Sequence, residues 1–109
     1  MSQFDDRERA FETKYAHDEE LKFRVIARRN RLLGEWAARK MGLSEEETSS
    51  YAKDVVRADF EEAGDGDVIR KVLGDLTAAG IETDEAEIRQ CLEHKFVEAK
   101  RQISEASSS

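Results

Sequence analysis

Three glycines limit how this chain can fold more than any other feature. The chain contains no proline, and Gly42, Gly64 and Gly80 each close a stretch of helical periodicity just before signals that open another. Gly42-Leu43 and Gly80-Ile81 pair a residue that can take the left-handed conformation with an apolar residue able to fold back on the finished helix. Ser44-Glu45-Glu46-Glu47 then reads as a capping box, Asp65-Gly66-Asp67 as the opening of a third helix, and Thr83-Asp84 with Glu87 as the cap of a fourth. The first helix is expected from about Asp18 to Met41.

Each segment carries one apolar face. The sets are Leu21, Val25, Leu32 and Trp36; then Tyr51, Ala52, Val55, Val56, Phe60 and Ala63; then Val68, Ile69, Val72, Leu73 and Leu76; and last Ile88, Cys91, Leu92, Phe96, Ala99 and Ile103. Connections this short force neighbouring helices to run roughly antiparallel. The expected fold is all-α, a compact antiparallel four-helix bundle over residues 18–104, with residues 105–109 as a frayed tail.

Residues 1–17 stand apart. Read as a helix, Phe4, Phe11 and Tyr15 fall on one narrow stripe among charges. At about 100° per residue that stripe lies roughly 70–80° from the Leu21, Val25, Leu32 and Trp36 set. The mismatch predicts either a break near Ala16 to Asp18 or a stripe that faces something other than the bundle. His17-Asp18-Glu19-Glu20 suits a helix start, because aspartate caps well and acids favour the positive end of the macrodipole. The aromatic stripe can be read in two ways: as a fifth, imperfect helix packed on the bundle, or as a flexible arm of helical propensity that folds within a partner's groove.

Charge is unevenly placed. Residues 1–20 hold seven acids and three bases, residues 21–43 one acid and seven bases, and residues 44–109 seventeen acids and eight bases, which together give the net −7. A basic band in an acidic protein argues against general nucleic-acid binding and leaves room for a local anionic partner. Arg28, Arg29 and Arg31 lie in that band. They fit a solvated face paired with neighbouring acids, or a docking surface for a carboxylate, phosphate or nucleotide such as ATP or ADP, which guanidinium forks bind in bidentate fashion.

Catalytic chemistry is not legible. His17 and His94 lack spaced companions that would make a zinc set, although either imidazole could sense pH near neutrality. Cys91 is the single cysteine, so it makes no internal disulfide; it fits a reducing cytoplasm and reads as a small core residue. Gly64-Asp65-Gly66 lacks the strand, spacing and lysine of a phosphate loop. The chain is expected to be non-enzymatic, to need no cofactor or metal, and to be monomeric when free. No apolar run reaches membrane-spanning length, and no secretory leader is visible.

The run Phe4-Asp5-Asp6-Arg7-Glu8, Ala10-Phe11-Glu12, Lys14-Tyr15-Ala16-His17-Asp18-Glu19-Glu20-Leu21, Ala27-Arg28-Arg29-Asn30, Leu32-Leu33-Gly34 and Trp36-Ala37-Ala38 resembles the zeta-subunit family of alphaproteobacterial F-type ATP synthases. Tyr51-Ala52-Lys53, Val55-Val56 and Ala58 to Gly64 continue the resemblance, which weakens after about Thr77. It implies a natural inhibitor of ATP hydrolysis whose N-terminal segment enters a catalytic α/β interface of the soluble head beside γ and acts as a one-way pawl. On that basis Phe4, Phe11 and Tyr15 are expected to be apolar anchors, with Arg7, Glu8, Arg9, Glu12 and Lys14 pairing at the rim. The protein would then be cytoplasmic, and peripheral to the inner membrane through the synthase.

Overall fold

In the computed structural model the caps divide the chain into α1 (Ser2–Lys40), α2 (Glu45–Ala58), α3 (Gly66–Ala78) and α4 (Glu85–Ser108). The structure describes the backbone of residues 2–59 and 65–108, and the side chains of residues 19–59 and 65–105. The four helices form an all-α bundle in which α1 packs chiefly on α2 and α4, while α3 closes against all three.

The capping signals at Gly42, Gly80 and Ser44 act as expected. Gly42 and Gly80 take φ of +74° and +79°, and the Leu43 and Ile81 amides donate back to the Ala38 and Leu76 carbonyls at 3.1 and 2.9 Å, so each glycine terminates its helix by a Schellman turn. At Ser44 the box closes in both directions. The Glu47 amide donates to Ser44 Oγ at 3.2 Å, and the Ser44 amide donates to the Glu47 carboxylate at 3.0 Å. That amide and the Ser44 hydroxyl hold the Glu47 carboxyl below its usual range. At the head of α4, Asp84 does the capping alone, accepting from the Glu87 amide at 2.8 Å, while the Glu87 carboxylate turns away to Lys40 at 2.8 Å.

Three boundaries differ from expectation. The first helix does not begin at Asp18. It is continuous from Ser2, because nothing between Ser2 and Leu33 is a glycine or proline and the charges there suit a helix. The second ends at Ala58, before Phe60 and Ala63; these two and Gly64 lie outside the described residues. At the other end, α4 runs through Ser108, past the tail expected to fray from residue 105, with no glycine or proline after Gly80 to stop it.

Leu33, Ala37, Val55, Val68, Val72, Leu76 and Ile88 are fully buried, with Ile69 and Leu92 nearly so. Trp36, Tyr51, Leu73, Ile81 and Cys91 close over them from the edge. The buried face of α1 is not the Leu21, Val25, Leu32 and Trp36 set, all of which are half-buried, but the neighbouring strip through Asn30, Leu33, Gly34, Ala37 and Ala38. Small residues make that strip, and they let α1 and α2 approach closely. A Cβ on Gly34 would stand 2.8 Å from the Ala52 Cα.

Counted from Phe4 at about 100° per residue, Leu33, Ala37, Asn30, Gly34 and Ala38 fall at about 20°, 60°, 80°, 120° and 160° from the aromatic line. This strip is centred about 90° from that line, on the side opposite the Leu21, Val25, Leu32 and Trp36 set, so the offset is real although the backbone of α1 is unbroken.

Candidate functional site

Arg28, Arg29 and Arg31 do not converge. Successive residues on a helix point about 100° apart, and here they meet different surroundings. Arg29 turns inward and is only 6% exposed. Its Nε and Nη2 donate to Asn30 Oδ1 at 3.1 and 3.0 Å, and Nη2 also donates to Asp65 Oδ1 at 2.9 Å. Asp65 precedes the first residue of α3 yet makes no side-chain cap, because its carboxylate serves Arg29 instead. Arg29 is thus a bolt between α1 and α3. Arg31 faces solvent and pairs with Glu35 one turn on, at 3.2 Å. Arg28 is exposed.

Arg28 and Arg31 do share a groove of about 530 Å³. Its rim is Arg24, Arg28 and Arg31 from α1 with Lys53 and Arg57 from α2, and its floor is Phe23, Ala27, Val56 and Ile103. No carboxylate among the described residues lines it. Arg24 is held by Glu20 at 2.9 Å, whereas Arg28, Lys53 and Arg57 have no ion-pair partner among the described residues. Lys53 and Arg57 escape a reading of the sequence along α1 alone. Their signal was the i, i+4 spacing flanking Val56, which puts two cations beside an apolar residue on one face of α2.

The remaining site candidates separate as follows. The side chains of Phe4, Arg7, Glu8, Arg9, Phe11, Glu12, Lys14, Tyr15 and His17 lie outside the described residues, although their backbone belongs to α1. His94 is exposed on α4. Cys91 is half-buried at the core's edge, and burial pushes its thiol up from the ordinary value. Among the described residues no group of three or more His, Cys, Asp or Glu side chains could hold a metal ion. No helix there is long and apolar enough to cross a membrane.

Comparison with known proteins bears on the whole chain. The model of one protein family, described as ATPase inhibitor subunit zeta, matches residues 1–102. A protein solved by solution NMR is 46% identical and superposes with a TM-score of 0.71, covering 79% of this chain and 98% of its own. A search of curated protein sequences finds no match.

Proposed function

Because this chain belongs to the ATPase inhibitor subunit zeta family, we propose that it blocks ATP hydrolysis by an F-type ATP synthase through the N-terminal part of α1. The observation that carries this reading is that the family match begins at residue 1 and that residues 2–40 form one helix. The inhibitory segment and the bundle's longest helix are therefore the same element.

A helix wedged in a catalytic α/β interface beside γ need only stabilise one conformation of that interface to halt a cycle that must open and close it. Phe4, Phe11 and Tyr15 supply large apolar area on few rotors, which suits them to anchor such a wedge. Arg7, Arg9 and Lys14 pair with acids at the rim, and Glu8 and Glu12 with bases. In the synthesis direction the interface opens the other way and releases the helix, so the device works as a one-way pawl. The protein acts without catalysis of its own, as a cytoplasmic subunit held at the membrane through the synthase.

The test is to add the protein to its purified cognate synthase and follow hydrolysis and synthesis in parallel. Hydrolysis should fall and synthesis persist. Equal loss of both, or no loss of hydrolysis, would overturn the reading.

A second reading makes the bundle a holder of ATP, ADP or another anion. Arg29 is engaged with Asn30 and Asp65, so such a site would rest on Arg28 and Arg31 in the basic groove. Titration calorimetry with ATP and ADP would separate it from the first reading, which needs no nucleotide on this chain.

A further inference from the structure

Given the inhibitory role proposed above, we infer that the groove between α1, α2 and α4 is a second docking site, and that it takes an acidic, apolar-faced segment on the outer surface of the same catalytic head. Among the described residues the groove concentrates five cations and no carboxylate in a chain of net charge −7. Three of those cations, Arg28, Lys53 and Arg57, have no ion-pair partner among the described residues. Arrangements of this kind attract carboxylates, and the long basic stems cover apolar surface while they do so.

The floor decides between kinds of occupant. Phe23 is one of two large apolar residues that are exposed among the described ones, at 55%, and it lies beside Ala27, Val56 and Ile103. A bare phosphate has no use for four apolar side chains contributed by three helices. A polypeptide with acids flanking one apolar face matches both the floor and the rim, in the way an amphipathic helix fills a groove.

Position adds to chemistry. Tyr15, Phe23 and Arg31 stand on one unbroken helix, so at 1.5 Å per residue the groove begins about 12 Å beyond Tyr15 and continues to about 24 Å. A helix seated in an interface as far as Tyr15 therefore carries the groove to the surface just outside. Because α1 is one continuous helix there, it presents the second contact along the same axis, and the two contacts act as linked sites with high effective concentration.

The experiment uses the full chain and the purified catalytic head. In the double variant Arg28→Glu with Lys53→Glu, the inhibition constant should rise at least tenfold while saturating inhibition stays complete, since the N-terminal segment is intact. The wild-type constant should rise with added salt more steeply than the variant's, whose remaining dependence comes from the N-terminal segment. Neither residue has an ion-pair partner among the described residues, so the unfolding transition should match wild type and certify the variant as folded. In parallel, zero-length carbodiimide coupling should join the Lys53 amine to an Asp or Glu of the head. A variant with wild-type potency and wild-type salt dependence would overturn the second site and leave the inhibitory role standing. A wild-type chain that fails to inhibit would instead remove that role itself. Protection of Lys53 by ATP alone, with no link to the head, would overturn the proposal in favour of a small anion.

Discussion

Arg29 of α1 and Asp65 at the head of α3 form an ion pair across 36 residues of sequence, with Nη2 2.9 Å from Oδ1. The two ends of this pair are unlike: the arginine side chain is 7% exposed and the aspartate 46%. Water can replace the carboxylate more readily than anything can replace the guanidinium. Arg29→Ala leaves both Asn30 Oδ1 and Asp65 without their donor and opens a void, which should cost about 3 kcal/mol. Asp65→Ala keeps the Asn30 contact and admits water, so about 1–2 kcal/mol is expected. Urea unfolding of both variants measures the difference. Equal costs would show that Arg29 is held by Asp65 alone.

Gly34 and Gly74 should respond to alanine in opposite directions. At Gly34 the new methyl would stand 2.8 Å from the Ala52 backbone and 3.2 Å from a Val55 methyl, and overpacking of this kind costs about 1–3 kcal/mol. At Gly74, on an exposed face of α3, nothing lies within 4 Å, so the helix gains up to about 1 kcal/mol from alanine's propensity. Thermal melts should therefore move down for Gly34→Ala and up for Gly74→Ala. A stabilised Gly34→Ala would mean that α1 and α2 do not approach this closely.

The helix stops were legible because each depends on a few adjacent residues: Gly42 and Leu43 or Ser44 and Glu47 settle their own turn whatever the remainder of the chain does. The buried face of α1 was not, because it is built from Asn30, Gly34, Ala37 and Ala38, which a count of large apolar residues passes over. Arg29 could not be told from Arg28 and Arg31 by type or spacing. What separates them is Asp65, a tertiary partner on another helix. The groove depends likewise on Lys53 and Ile103 reaching Arg28 from elsewhere in the chain. The proposed anchors Phe4, Phe11 and Tyr15 rest on a stripe and a resemblance, and the partner proposed for them is a different molecule.

Alkaline pH should destabilise the bundle through Tyr51. Burial first, then the hydrogen bond its hydroxyl donates to Asp75 Oδ2 at 2.8 Å, push the Tyr51 phenol well above the ordinary tyrosine value of 10.0. The folded state then keeps a proton that the unfolded chain gives up above about pH 10, so stability is fully present below that pH and falls as pH rises beyond it. Tyr51→Phe should flatten this alkaline loss at the expense of the hydrogen bond. Tyrosinate absorbance in a Tyr15→Phe background, where Tyr51 is the one remaining tyrosine, checks the phenol directly. Ionisation at the ordinary tyrosine pH in the folded protein would refute it.

Inhibition should depend on the aromatic stripe, and the fold should not. Phe11 and Tyr15 lie one turn apart on the line of Phe4, whereas Thr13 lies off it. Truncating an aromatic anchor at an interface removes its contact area and commonly costs about 2–4 kcal/mol, which corresponds to roughly 30- to 1000-fold in the inhibition constant. Phe11→Ala should therefore weaken inhibition of hydrolysis far more than Thr13→Ala. Deletion of residues 1–15 should abolish it, with the unfolding transition of the bundle nearly unchanged in every case, since among the described residues the core is built from Leu33, Val55, Val72, Leu76 and Ile88. The constants should be compared at equal ionic strength, because the rim charges of the segment and the cations of the groove both respond to screening. Equal constants for the two point variants would sink the aromatic anchors. A deletion that still inhibits fully would move the inhibitory contact from the N-terminal segment to the bundle.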